Sequence, residues 1–153
     1  MLRALLLMLA MAAPVSAGGA EAVLAAVNGV RAKAGCPALA MNASLVAAAK
    51  GHADAMAEQN FFAHAGKDDS RFSGRIRGQG YSYSAAAENI AAGQSSAAAV
   101  MQSWLGSAGH RRNILNCGFR DTGIAVVYQP DDQPLRGGRF ALRYYWVQVF
   151  AAP

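Results

Sequence analysis

Apolar side chains recur along this chain first at the spacing of helices and, in its last third, at the spacing of strands. From Glu21 to Ala34, Val23, Val27, Val30 and Ala34 fall on one helical face, and Gly35 followed by Pro37 supplies a stop. A second stripe, Leu45, Ala49, His52 and Met56, predicts a helix that Asn42 or Ser44 can cap and that ends near Asn60. A third begins at Ser95 or Ser96, carries Val100, Met101, Trp104 and Leu105, and is broken by Gly106 and Gly109. Between the second and third, residues 61–83 are rich in Gly, Ser, Asp and Arg, with only a short helical pattern over 71–79. That is a long connection of the kind that tends to carry function. Residues 109–116 read as a tight turn with a short helical piece. Two strand-like runs follow, Thr122 to Gln129 and Phe140 to Phe150, joined by a Pro, Asp and Gly-rich loop as an antiparallel hairpin. Helices early and strands late, without a βαβ rhythm, predict an α+β fold with an antiparallel sheet covered by helices.

The amino-terminal pattern is of another kind. Arg3, an apolar run from Ala4 to Ala13, and Val15-Ser16-Ala17 with small residues at the cleavage-determining positions read as a secretory signal peptide over residues 1–17. The run is about half the roughly 20 residues that a membrane-spanning helix needs, and Pro14 interrupts it. The expected product is secreted or periplasmic, without a transmembrane segment, and consists of one domain over residues 18–153, about 135 residues and enough for a real core.

Charge narrows the partners. Lys and Arg outnumber Asp and Glu by 14 to 9, a net charge of +5. The arginines are spread along the chain and lack the aromatic interleaving of a base-stacking surface, so nucleic acid is not an expected partner. A monomer is the expected state. An exported chain with two distant cysteines, Cys36 and Cys117, is expected to pair them. Closing a loop of about 80 residues contributes roughly 3–4 kcal/mol in the chain-entropy picture. The other use of a cysteine, as a nucleophile, finds no neighbouring histidine in sequence.

Three residues stand out as carriers of chemistry. His64 follows Asn60-Phe61-Phe62-Ala63 where the second helix gives way to loop, placed to ligate or to exchange protons, or simply solvated. Glu88 lies among small and apolar residues, where a buried carboxylate needs a partner; a surface Glu beside a short strand is the alternative. His110 follows Gly109 in a turn that it can cap or open into a site. The separations of 24 and 22 residues form no local metal motif. His52, on the apolar stripe, reads as a hydrogen-bonded core histidine rather than a fourth member. Trp104, Trp146, Tyr144 and Tyr145 read as core or sheet-face aromatics rather than a ligand cage. Asn89 and Asn113 are placed to brace loop backbone.

Taken together and in order, the stretches Asn60 to His64, Ala87 to Ala92, Trp104 to Leu115, Gly123 to Gln129 and Tyr145 to Phe150 resemble the CAP superfamily (the cysteine-rich secretory protein, antigen 5 and pathogenesis-related 1 group, or SCP domain) in its bacterial form. The resemblance covers about Val23 to Phe150. It implies a three-layer α-β-α sandwich, its central antiparallel sheet flanked by helices, and a large cleft lined by two histidines and two acidic residues. His64, Glu88 and His110 match three of those four; the second Glu falls at Ser107, which leaves a less charged site. The resemblance implies two uses. One is a cleft formed by His64, Glu88, His110 and Ser107 that binds a small, lipid-like or cell-envelope ligand, with Zn²⁺ as a candidate cofactor on His64 and His110. The other is a metal-assisted, protease-like hydrolase in which Glu88 is the catalytic base.

Overall fold

The computed structural model describes residues 15–153, and the expected signal peptide lies almost wholly outside them. Helix α1 (Val15–Lys33) begins earlier than the periodic stretch at Glu21 and buries Val23, Val27 and Arg31, one turn apart on a single stripe. Gly35, at φ 76°, turns the chain where a side chain would be strained. The two-residue strand β1 (Ala40–Met41) follows, and then helix α2 (Ala43–Glu58). Of its two candidate caps, Asn42 acts: its side-chain oxygen accepts the backbone N–H groups of Ser44 and Leu45 at 2.9 and 3.3 Å. The connection after α2 contains helix α3 (Phe72–Gly78), within the short pattern expected there. Strand β2 (Ala85–Ala92) leads to helix α4 (Ala97–Gly106), capped by Ser96, and helix α5 (Ala108–Ile114). Strands β3 (Asp121–Tyr128) and β4 (Tyr144–Ala152) form the expected hairpin.

Two of these strands, β1 and β2, were not foreseen from the apolar pattern. The sheet runs β1-β3-β4-β2: its three long strands are antiparallel, and the short β1 adds one parallel pairing at the far edge, making the sheet mixed. Strand β4 also begins at Tyr144 instead of Phe140, because residues 140–143 belong to the loop.

Both faces of the sheet are covered, which gives the three layers. On one face Val23 and Val27 of α1, Val100, Met101 and Trp104 of α4, and Ile114 of α5 pack with Ile124, Val126, Trp146 and Phe150. On the other, Leu45, Ala49, Ala53 and Met56 of α2 and Ile76 of α3 pack with Ile90, Tyr145, Val147 and Val149. Alternate residues of β4 thus enter opposite cores, and the strand reads as an unbroken buried run. The small residues of α2 let it lie very close to β3: a β-carbon on Gly123 would overlap the backbone of Leu45 and Val46.

The aromatic and cysteine expectations hold. Trp104 Nε1–H donates to the Ile90 carbonyl at 3.1 Å and Trp146 Nε1–H to that of Gln94 at 2.7 Å, so both indoles are core members with satisfied donors. Cys36 and Cys117 form a disulfide. Beside it, fully buried Arg31 donates to four backbone carbonyls, those of Pro37, Ile114, Asn116 and Phe119, at 2.8–3.1 Å. No described helix is long and apolar enough to cross a membrane.

Candidate functional site around Glu88

Strand β2 is an edge strand of the sheet, and the candidate site wraps over that edge. Glu88 shares the face of Ile90, toward α2 and α3, whereas its neighbour Asn89 points the other way, toward α5. The Glu88 side chain is 1% exposed and both its oxygens are engaged. His64 Nδ1–H donates to Oε1 at 2.8 Å, and Arg75 Nη2 donates to Oε2 at 2.8 Å. The partner that a buried carboxylate requires is therefore supplied twice.

Arg75, on α3, is the functional residue that sequence reading missed. Besides Glu88, its guanidinium donates to the carbonyls of Ser70 at 3.0 Å and His64 at 3.0 Å. One side chain thus ties the loop, the helix and the edge strand together. The signal for it was indirect: a carboxylate in an apolar strand demands a cation, and Arg75 adjoins Ile76, the buried residue of α3.

The His64 side chain is 54% exposed, and its Nε2 has no hydrogen-bond partner among the described residues. Its backbone is held from below by His52, which is 1% exposed on α2 and whose Nε2–H donates to the Ala63 carbonyl at 2.8 Å. His52 is thus the hydrogen-bonded core histidine that its place on the apolar stripe suggested. Burial, and next the nearby Arg75 cation, push its pKa below the ordinary imidazole value.

His110 approaches from the other layer. Its carbonyl accepts Asn89 Nδ2 at 3.1 Å, and Asn113 Nδ2 in turn donates to Asn89 Oδ1 at 2.8 Å and to the Glu88 carbonyl at 3.4 Å. The two asparagines brace the α5 turn against the strand edge, as their positions suggested. Burial and the field of His64 lower the His110 pKa, and its buried Nδ1 has no hydrogen-bond partner among the described residues. Ser107 stands at the junction of α4 and α5, half-buried and without a capping hydrogen bond from its side chain. Beside His64 opens a cavity of about 650 Å³, lined by His64, Ala65, Asp69, Arg71, Phe72 and Ser73.

A family model described as "Cysteine-rich secretory protein family" (CAP) matches residues 24–150. The chain belongs to this family. Among curated proteins it is similar to the Bacillus subtilis proteins YkwD, at 34% identity over 65% of this chain, and YlbC, described as a membrane protein, at 31% over 68%. The matches span 39% and 30% of those two proteins, so this chain corresponds to well under half of either. Among solved structures, an extracellular SCP-domain protein of Bacillus anthracis superposes with a TM-score of 0.76 at 27% identity, over 90% of this chain and 41% of that one. An outer surface protein of Borrelia burgdorferi gives 0.75 at 19% identity, over 86% of this chain and 90% of that one, and supports the CAP fold alone.

The CAP cleft of this chain departs from a four-residue polar set at Ser107. Whether its residues suit a metal ion can be read from their atoms. A carboxylate on His64 Nδ1 is the arrangement that orients a metal-binding imidazole and frees Nε2, and the unpartnered His110 Nδ1 is a nitrogen without other employment. Glu88, held by Arg75, is spoken for. The donors left are thus two imidazoles, and among the described residues no three His, Cys, Asp or Glu side chains are grouped to close around an ion.

Proposed function

We propose that this chain is an exported CAP domain that binds a small, lipid-like or cell-envelope ligand in the cleft at His64. The observation that carries the reading is the Arg75–Glu88–His64 chain, which fixes an exposed imidazole at the edge of a cavity of about 650 Å³. The wall of that cavity mixes Phe72 with Arg71, Asp69 and Ser73, the combination of apolar contact and a few placed polar groups that suits recognition. Export rests on the leader pattern and on the Cys36–Cys117 disulfide, which suits an oxidising compartment. The extracellular B. anthracis relative accords with it.

Geometry favours binding over hydrolysis. The hydrolase reading asks Glu88 to take a proton from water, yet its side chain is nearly inaccessible and both its oxygens already accept hydrogen bonds. Its role in the binding reading is positional: it sets the ring orientation of His64. A divalent ion such as Zn²⁺ would be held by His64 and His110 and would supply Lewis-acid polarisation of a ligand oxygen. Glu88 orients the His64 ring, while His52 and Asn89 hold the backbone carbonyls of Ala63 and His110.

The test is capture of envelope-extract components by delipidated protein, read by mass spectrometry, with His64→Ala in parallel. A component retained by the wild type and lost in the variant is the expected result, with a stability loss of about 1–2 kcal/mol because Glu88 Oε1 gives up a partner, and with the fold of the variant checked by circular dichroism. Capture of nothing, or equal capture by both, removes the proposal. Elemental analysis of the natively purified protein tests the metal independently.

A further inference from the structure

The loop joining β3 to β4 carries more exposed apolar and cationic surface than a connector needs. Three large hydrophobic side chains stand out to solvent among the described residues: Phe140 at 81%, Tyr128 at 49% and Phe62 at 41%. Phe140 lies in this loop. Tyr128 is the last residue of β3 and pairs with Tyr144, the first of β4, their rings 4.8 Å apart at the mouth of the loop. Arg136, Arg139 and Arg143 are exposed on the same segment, against a single exposed acid, Asp131.

One exposed phenylalanine is ordinary on a protein surface. This one is set apart by its company and by the order of the backbone that presents it. Asp132, buried, accepts the backbone N–H of Arg143 at 2.7 Å and the hydroxyl of Tyr145 at 2.9 Å. Gln129 N–H donates to the Arg143 carbonyl and Gly138 N–H to that of Leu135, both at 2.7 Å. The loop is therefore preset, and little ordering would accompany its insertion into another phase. It also adjoins the cleft side of the molecule. Asn60 Nδ2 donates to the Pro134 carbonyl at 3.3 Å, two residues before exposed Phe62 and four before His64.

We propose that this hairpin tip docks on the surface of an anionic phospholipid bilayer. Phe140 enters the boundary between headgroups and acyl chains, Arg136, Arg139 and Arg143 meet headgroup phosphates, and Tyr128 and Tyr144 lie at the interfacial level that favours amphipathic rings. Neither signal suffices alone. Each guanidinium near a negative surface adds about fivefold in affinity, and partial burial of one phenyl ring adds about tenfold, so the pair of signals gives reversible docking. The inference stands apart from what the cleft binds, since it uses none of the residues that line it.

The experiment is co-sedimentation of the purified protein with vesicles of phosphatidylcholine alone, or with one-third phosphatidylglycerol. Binding is expected to the anionic vesicles only and to weaken with salt. Phe140→Ala should lower it about tenfold, and the pair Arg136→Gln with Arg139→Gln about twentyfold. All three side chains are exposed, so these variants should keep the wild-type circular dichroism spectrum. In Phe140→Trp, indole emission should shift to the blue with anionic vesicles and not with neutral ones. Absence of wild-type binding to anionic vesicles overturns the proposal. So does unchanged binding of Phe140→Ala, which would point to charge attraction alone and to an acidic polymer or protein as the partner.

Discussion

Two of the charged side chains buried among the described residues, Arg31 and Glu88, are answered in opposite ways. Arg31 is surrounded by backbone carbonyls from Pro37, Ile114, Asn116 and Phe119, beside the Cys36–Cys117 disulfide. Glu88 is answered by two side chains, Arg75 and His64, one of which stands half in solvent. Carbonyls of a closed corner neither titrate nor swing away, so the first arrangement works as a staple. The second has a partner that stands half in solvent and can turn toward a ligand, so a similar burial cost supports a responsive site. What neutralises a buried charge distinguishes scaffold from cleft more clearly than burial does.

The contrast can be tested in order of expected effect. Arg31→Ala strips four carbonyls of their shared donor and should cost about 4 kcal/mol by urea unfolding, or prevent folding. Arg31→Lys should rescue little, because one ammonium cannot fork to four acceptors. Arg75→Met leaves a carboxylate buried with only His64 and should cost about 3 kcal/mol. Adding Glu88→Gln to it should return part of that loss; a strictly additive cycle would show that the two side chains do not act as a pair. Cys36→Ser with Cys117→Ser should cost about 2 kcal/mol, below the loop-closure expectation, because Arg31 ties the same corner. A larger loss than that of Arg31→Ala would reverse their ranking.

The smallest expected effect is on pH. Burial holds His52 and His110 below the ordinary imidazole value of 6.5. Below that pH the unfolded chain binds protons that the folded one refuses, so stability is complete above it and falls as acid is added toward the depressed folded values. Melting temperature should therefore decline from near neutrality into mild acid, and His52→Gln should flatten the decline. Gln can still offer a donor to the Ala63 carbonyl. An unchanged slope in that variant would assign the acid sensitivity elsewhere.

Much of the architecture was legible because the chain repeats its apolar residues at clean helical spacing in α1, α2 and α4 and ends those helices with recognisable punctuation. Strand β2 was not, for a physical reason. Its sequence, Ala85-Ala86-Ala87-Glu88-Asn89-Ile90-Ala91-Ala92, has one β-branched residue, and alanine has little intrinsic liking for a pleated sheet. It is a strand because β4 and the two covering layers make it one. The site divides along similar lines. His64, Glu88 and His110 were singled out by residue type and surroundings, and the structure joins the first two directly. Arg75 stayed one arginine among many, because its importance lies in reaching a strand that only the tertiary fold brings near. His52 was placed correctly in the core, while its hold on the residue before His64 depends on the path of a loop that periodicity does not describe.

Gly123 extends this dependence across the sheet, since it and Glu88 pair with the same residue of β4, Val149. There is no room there for even one methyl group between β3 and the backbone of α2, and His52 sits on that helix. Wedging them apart with Gly123→Ala would shift the perch on which the loop before His64 rests, so a ligand at the cleft would register a methyl group placed under the far end of the helix.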